Sequence, residues 1–186
     1  MRLVFCISQD VFTLFFDLCV LRYFFIALFG GCSSETKGPK YEIFPPAGGK
    51  GAIVVVASGY TGPGLYRDFS SKLAELGYYT MLMDGKDLFD PGSIGRIVPA
   101  TENLQTVIAE SKSSPQAIRG KVSLVGFSVG GAGVLSYGTK LKNKVSAVVA
   151  YYPAITTLGR DMKILAAGFQ TPVLLFAGEK DLYHNC

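Results

Sequence analysis

Gly126-Phe127-Ser128-Val129-Gly130 places one serine between two glycines. That spacing suits a nucleophile held on a turn too tight for side chains on either flank. The pattern alone is weak, since a chain this rich in glycine is expected to contain about 0.2 copies by chance. Its setting strengthens it. An apolar strand is expected directly before it, over Lys121–Val125, and a helix directly after it, over Gly130–Lys140. Between the two, the Ser128 hydroxyl would stand over the sheet edge at a helix N-terminus, where free N–H groups and the helix dipole favour developing negative charge. Gly131 and Gly133 would let that helix lie close to its neighbours. The chemistry implied is attack by Ser128 on an acyl carbon. The plain alternative is a glycine-rich turn carrying an idle serine.

The elements that must position this turn form a regular rhythm. Ala52–Ala57 (AIVVVA) is a short continuous apolar run, as expected of a strand buried on both faces. Tyr66–Leu76 has helical spacing, with Phe69, Leu73 and Leu76 on one face and Gly77 as its stop. Further strands are expected at Tyr78–Met83, Val145–Ala150 and Pro172–Ala177, with helices at Glu102–Ser111 and Asp161–Ala167. Alternating strands and helices predict an α/β fold, with a mostly parallel sheet covered on both sides.

Three stretches then resemble the α/β-hydrolase superfamily, most closely its dienelactone-hydrolase-like branch: VSLVGFSVGGAGVL at 122–135, AVVAYYP at 147–153 and TPVLLFAGEKD at 171–181. The resemblance covers roughly Ala52 to the C-terminus and implies a serine hydrolase of carboxylic esters or lactones, working through an acyl-enzyme without a cofactor. It carries the triad acid onto Asp181, which would orient the histidine that takes the serine proton; an ordinary loop-capping aspartate is the alternative. One oxyanion donor would be the Val129 N–H, the other the Tyr60 N–H on the loop Ser58-Gly59-Tyr60-Thr61-Gly62. That loop also looks like its counterpart in bacterial cutinase-like polyester hydrolases, where the tyrosine ring helps to hold the acyl group. Otherwise Tyr60 merely covers the sheet edge. Dienelactone hydrolases proper carry an acidic residue on this loop and a cysteine nucleophile, so their substrate is not carried over. In the superfamily the histidine follows a further strand. His184, the single histidine, lies only three residues past Asp181 and reads as a surface loop residue. The expectation is therefore a hydrolase domain at 51–186 whose last strand and histidine are missing, with impaired activity. Asp84 and Asp87, after the second strand at the sheet's carboxyl edge, read as turn caps, the alternative being that they line the cleft without an assignable role.

Composition bounds the alternatives. The 18 basic and 14 acidic residues are scattered without a basic stripe, which argues against a nucleic-acid partner. The four cysteines lie near the ends without metal-ligand spacing, so no metal site is expected. The first thirty-odd residues are dense in Phe, Leu, Val and Ile, yet Asp17 and Arg22 interrupt the span Val11–Phe29, and each charge costs about 2.5–3.5 kcal/mol near a membrane centre. Leu21–Phe29, small residues and then Cys32 resemble a bacterial lipoprotein signal, which implies lipidation at Cys32, membrane anchoring through the N-terminus and a place in the cell envelope. Otherwise 1–32 is a plain signal anchor or a spurious leader, and a protein neither anchored nor exported would be cytoplasmic. Residues 33–50 read as a linker. A second function class stays open, a non-catalytic, lipid-anchored binding protein that keeps the hydrolase fold.

Overall fold

The computed structural model describes residues 38–89, 101–141, 143–155 and 166–178. Six strands form one sheet: β1 Tyr41–Phe44, β2 Gly51–Ala57, β3 Tyr79–Met83, β4 Ala117–Phe127, β5 Val145–Tyr151 and β6 Val173–Phe176. Their order is β1-β3-β2-β4-β5-β6. Every pairing is parallel except that of β1 with β3. Among the described residues, helices α1 Arg67–Glu75, α2 Thr101–Ser113 and α3 Val129–Lys140 join them. Single 3-10 turns span Pro63–Tyr66 and Gly85–Leu88. Among the described residues, no helix is long and apolar enough to cross a membrane.

Period-two alternation explains the layers. Along β2, Ile53, Val55 and Ala57 join Met81, Leu104, Val107, Leu124 and Val134 in one core cluster. Val54 and Val56 point the other way, to Leu82, Val125 and Phe127, against which Phe69 and Leu73 of α1 pack. Both faces of β2 and β3 are covered, so their sequences are continuously apolar rather than alternating.

The strand order reverses at β2. From β2 the chain moves outward to β3, returns past β2 to β4, and then runs outward the other way through β5 and β6. The crevice beyond the carboxyl ends of β2 and β4 is thus a topological switch point, where open α/β sheets bind ligands. Ala57 pairs in register with Gly126, so the loops leaving both strands start at the same level.

Two sequence expectations need correction. Residues 33–50 are not only a linker, because Tyr41–Phe44 pairs antiparallel with β3 from Tyr41↔Met83 to Phe44↔Thr80. Four residues, one of them Glu42, between Gly38-Pro39 and Pro45-Pro46 are too few to display a strand period. The strand expected over Lys121–Val125 runs instead from Ala117 to Phe127. Its first turn of sequence, Ile118-Arg119-Gly120, is exposed and carries no apolar run. The remaining strands stand within two residues of expectation. Most of the helix expected at Asp161–Ala167 lies outside the described residues, as do the leader 1–32 with Cys32, and Asp181, His184 and Cys186.

Candidate active site

Ser128 joins β4 to α3 with φ 51° and ψ −114°, a backbone conformation that L-residues rarely adopt. Three backbone hydrogen bonds hold it there. Its N–H donates to the Tyr151 carbonyl at 3.0 Å, and its carbonyl accepts from the N–H groups of Ala132 and Ala154, each at 3.0 Å. The side chain is half-buried at the N-terminus of α3.

The glycines on either flank are required by contact. A methyl group on Gly126 would strike the Gly130 carbonyl and come within 2.6 Å of Val134 Cγ2. One on Gly130 would strike the carbonyls of Ala57 and Ser58 at the end of β2. The turn therefore closes directly onto the neighbouring strand, which brings the loop after β2 beside the serine. Gly131 sits against Pro153, where an added methyl would be 3.1 Å away, and Gly133 against Leu88.

That second loop is pinned as firmly at its root. The Ser58 N–H donates to the Met83 carbonyl at 3.0 Å. Its buried Oγ accepts from the Gly85 N–H at 3.0 Å and contacts the Gly59 carbonyl at 3.2 Å. The Gly62 N–H closes the turn onto the Gly59 carbonyl at 3.1 Å. Between these anchors the Tyr60 side chain is 72% exposed. The Lys86 ammonium lies 5.6 Å from its ring centroid, at cation–π distance. The Val129 N–H belongs to the first turn of α3, where amides lack an intrahelical acceptor. The structure thus brings Ser128, Val129 and the Tyr60 loop to one crevice.

Asp84 bears out its reading as a cap, whereas Asp87 sits within the 3-10 turn rather than capping it. The Asp84 carboxylate accepts the Lys86 N–H at 3.0 Å. Burial and the neighbouring Asp84 raise the Asp87 carboxyl above its usual range. Among the described residues, no three histidine, cysteine or carboxylate side chains come together as metal ligands.

Two tyrosines escaped the sequence reading. Tyr152, directly after β5, has φ 37° and a side chain 40% exposed. Burial and its hydrogen-bond partner Tyr66 raise the Tyr152 phenol above its ordinary value. The Tyr66 ring packs 4.5 Å from Phe127, and Phe127 stacks on Tyr151 at 4.8 Å, so this pair leans on the strand that delivers the serine. The only local signal was a bulky residue before Pro153, which says nothing of the partner.

Known proteins agree with this architecture. Residues 41–185 match the Dienelactone hydrolase family. None of the curated proteins matches. Among solved structures, Est1E from Butyrivibrio proteoclasticus with ferulic acid bound is similar at TM-score 0.60 and 15% identity, over 77% of this chain and 76% of that one. A Klebsiella pneumoniae subsp. pneumoniae protein assigned as a dienelactone hydrolase gives TM-score 0.57 and 18% identity, over 77% and 74%. An alpha-beta serine hydrolase homologue from Coxiella burnetii gives 0.52 and 20%, over 77% and 70%. The chain spans less of others: 46% of a second Est1E chain and 31% of the Pyrococcus horikoshii acylaminoacyl peptidase.

Proposed function

This chain belongs to the dienelactone hydrolase family and has the α/β-hydrolase fold, and from that premise we propose that it is a hydrolase of small molecules, acting on carboxylic esters or lactones through an acyl-enzyme on Ser128. The observation that carries this reading is the strained serine turn at the switch point, packed against the loop after β2. A strained serine is costly to hold, by about 1–3 kcal/mol, and such strain collects where geometry serves chemistry.

In the proposed reaction, Ser128 Oγ forms a bond to the acyl carbon while its proton passes to a histidine. The carbonyl π pair moves onto oxygen, which the N–H groups of Tyr60 and Val129 receive. When the pair returns, the alkoxide leaves with the histidine's proton, and water repeats the sequence to release the acid. Asp181 would orient that histidine. Val129 is the better supported of the two donors because a helix start supplies its amide. Lipidation at Cys32 and anchoring at the cell envelope belong to the same proposal, resting on the leader's composition.

The test assays a short-chain nitrophenyl ester with the 186-residue chain and with a form extended past Cys186. Activity confined to the extended form is expected. Equal activity in the short form that disappears with His184→Ala would make His184 the base instead. If neither form hydrolyses the ester, the non-catalytic binding protein replaces this reading. For the leader, Cys32→Ser should block processing in a bacterium, and a soluble product retaining residues 1–31 would count against anchoring.

A further inference from the structure

Gly59 shows what surrounds the crevice. A methyl group placed there would stand 2.6 Å from Tyr66 Oη and 3.6 Å from Ser128 Cβ. The phenol and the serine therefore flank one point, and only the lack of a side chain at Gly59 keeps it open. Tyr66 arrives from the 3-10 turn that precedes α1, a different element from both amide donors. Its ring is fixed by Phe127 at 4.5 Å, directly before the nucleophile. Its hydrogen-bond partner is Tyr152, which the loop after β5 holds at φ 37° with its N–H on the Phe176 carbonyl at 2.6 Å.

We propose that the Tyr66 hydroxyl, held by Tyr152, is a side-chain hydrogen-bond donor to the acyl oxygen at Ser128, beside the two backbone amides. This inference rests on the hydrolase reading above. A phenol has one proton to give and lone pairs to receive. In this arrangement Tyr152 is the donor within the pair and Tyr66 the acceptor. That leaves the proton of Tyr66 for the space beside Gly59. Receiving a hydrogen bond also polarises a hydroxyl and strengthens the bond it donates. Tyr152 is thus a positioning residue, and Tyr66 is the group that meets substrate. The bond matters most when the acyl oxygen carries negative charge, so it acts on the transition state more than on bound ester.

The experiment compares Tyr66→Phe and Tyr152→Phe, which keep both rings and their packing. The first readout is the rate at which a fluorophosphonate, whose phosphonyl oxygen occupies the acyl-oxygen position, labels Ser128. It is measured in the chain or in a form extended past Cys186, whichever reacts. Tyr66→Phe should slow labelling roughly 10²-fold, the usual effect of losing one such donor. On a nitrophenyl ester it should lower kcat with little change in KM. Tyr152→Phe should have a smaller effect of the same kind, and both variants should melt with the parent. Labelling of Tyr66→Phe at the parent rate overturns the proposal, as does a loss matched by a lower melting temperature. If the parent's Ser128 is never labelled, the hydrolase reading itself has failed; if it is labelled and Tyr66→Phe is indifferent, only this inference has.

Discussion

The carboxyl ends of β2 and β4 and the margin at β6 belong to one sheet but are built to different tolerances. At the first, backbone meets backbone: Gly126, Gly130 and Gly85 each sit where a single methyl would strike a neighbouring main chain. The strands beneath are buried on both faces. At the second, Val173, Leu174, Leu175 and Phe176 are all exposed, and among the described residues only β5 pairs with the strand. Interiors packed like crystals resist the addition of even one carbon, whereas open margins forgive it. The candidate nucleophile stands in the unforgiving region. Strain at Ser128 can persist there because its surroundings over-determine it.

Substitutions at the two ends should separate accordingly. The largest effect is expected for Gly130→Ala, whose methyl would enter the carbonyls of Ala57 and Ser58. It should cost about 3 kcal/mol or more in thermal or denaturant unfolding. Gly59→Ala should cost less, roughly 1 kcal/mol, because the nearest obstacle is the end of the Tyr66 side chain rather than backbone. Its loss of Ser128 labelling should exceed what that destabilisation explains. At the margin, Leu174→Thr removes a side chain that is 53% exposed, and the change should stay within about 0.5 kcal/mol. A loss at Leu174 as large as that at Gly130 would erase the contrast.

The smallest effect concerns the link between β1 and α1. Arg67 Nε and Nη2 donate to both Glu42 carboxylate oxygens, at 2.8 and 2.7 Å. The hydrogen bond from Arg67 holds the Glu42 carboxyl below its ordinary value. A lowered carboxyl stabilises the fold above its unfolded-state value and loses that contribution as pH falls through the folded-state value. Glu42→Gln should therefore melt slightly below the parent at pH 7, with the difference vanishing once the pH drops below the carboxylate range. Solvent screening keeps the difference small, since both side chains are largely exposed.

The same contrast governs what the sequence made legible. β2, β3 and the second half of β4 announce themselves because burial on both faces leaves a nearly continuous apolar run, and β5 because its Val and Ala positions alternate into the core. The Ser128 turn was legible because its glycines are demanded by contacts that few other residues could accept. β1 and the start of β4 carry no such mark, being short, exposed or polar. Tyr66 and Tyr152 are 86 positions apart in sequence, and nothing local announces a partnership made by the sheet alone. Asp84 could be read as a cap because its bond reaches only two residues ahead.

One measurement bears most directly on the site. A fluorophosphonate probe is applied to the 186-residue chain and to a form extended past Cys186, and the adduct is mapped by mass spectrometry. Covalent labelling is expected on Ser128 alone, with Ser128→Ala abolishing it. Undiminished labelling in Ser128→Ala, or none in either form of the parent, would contradict the account.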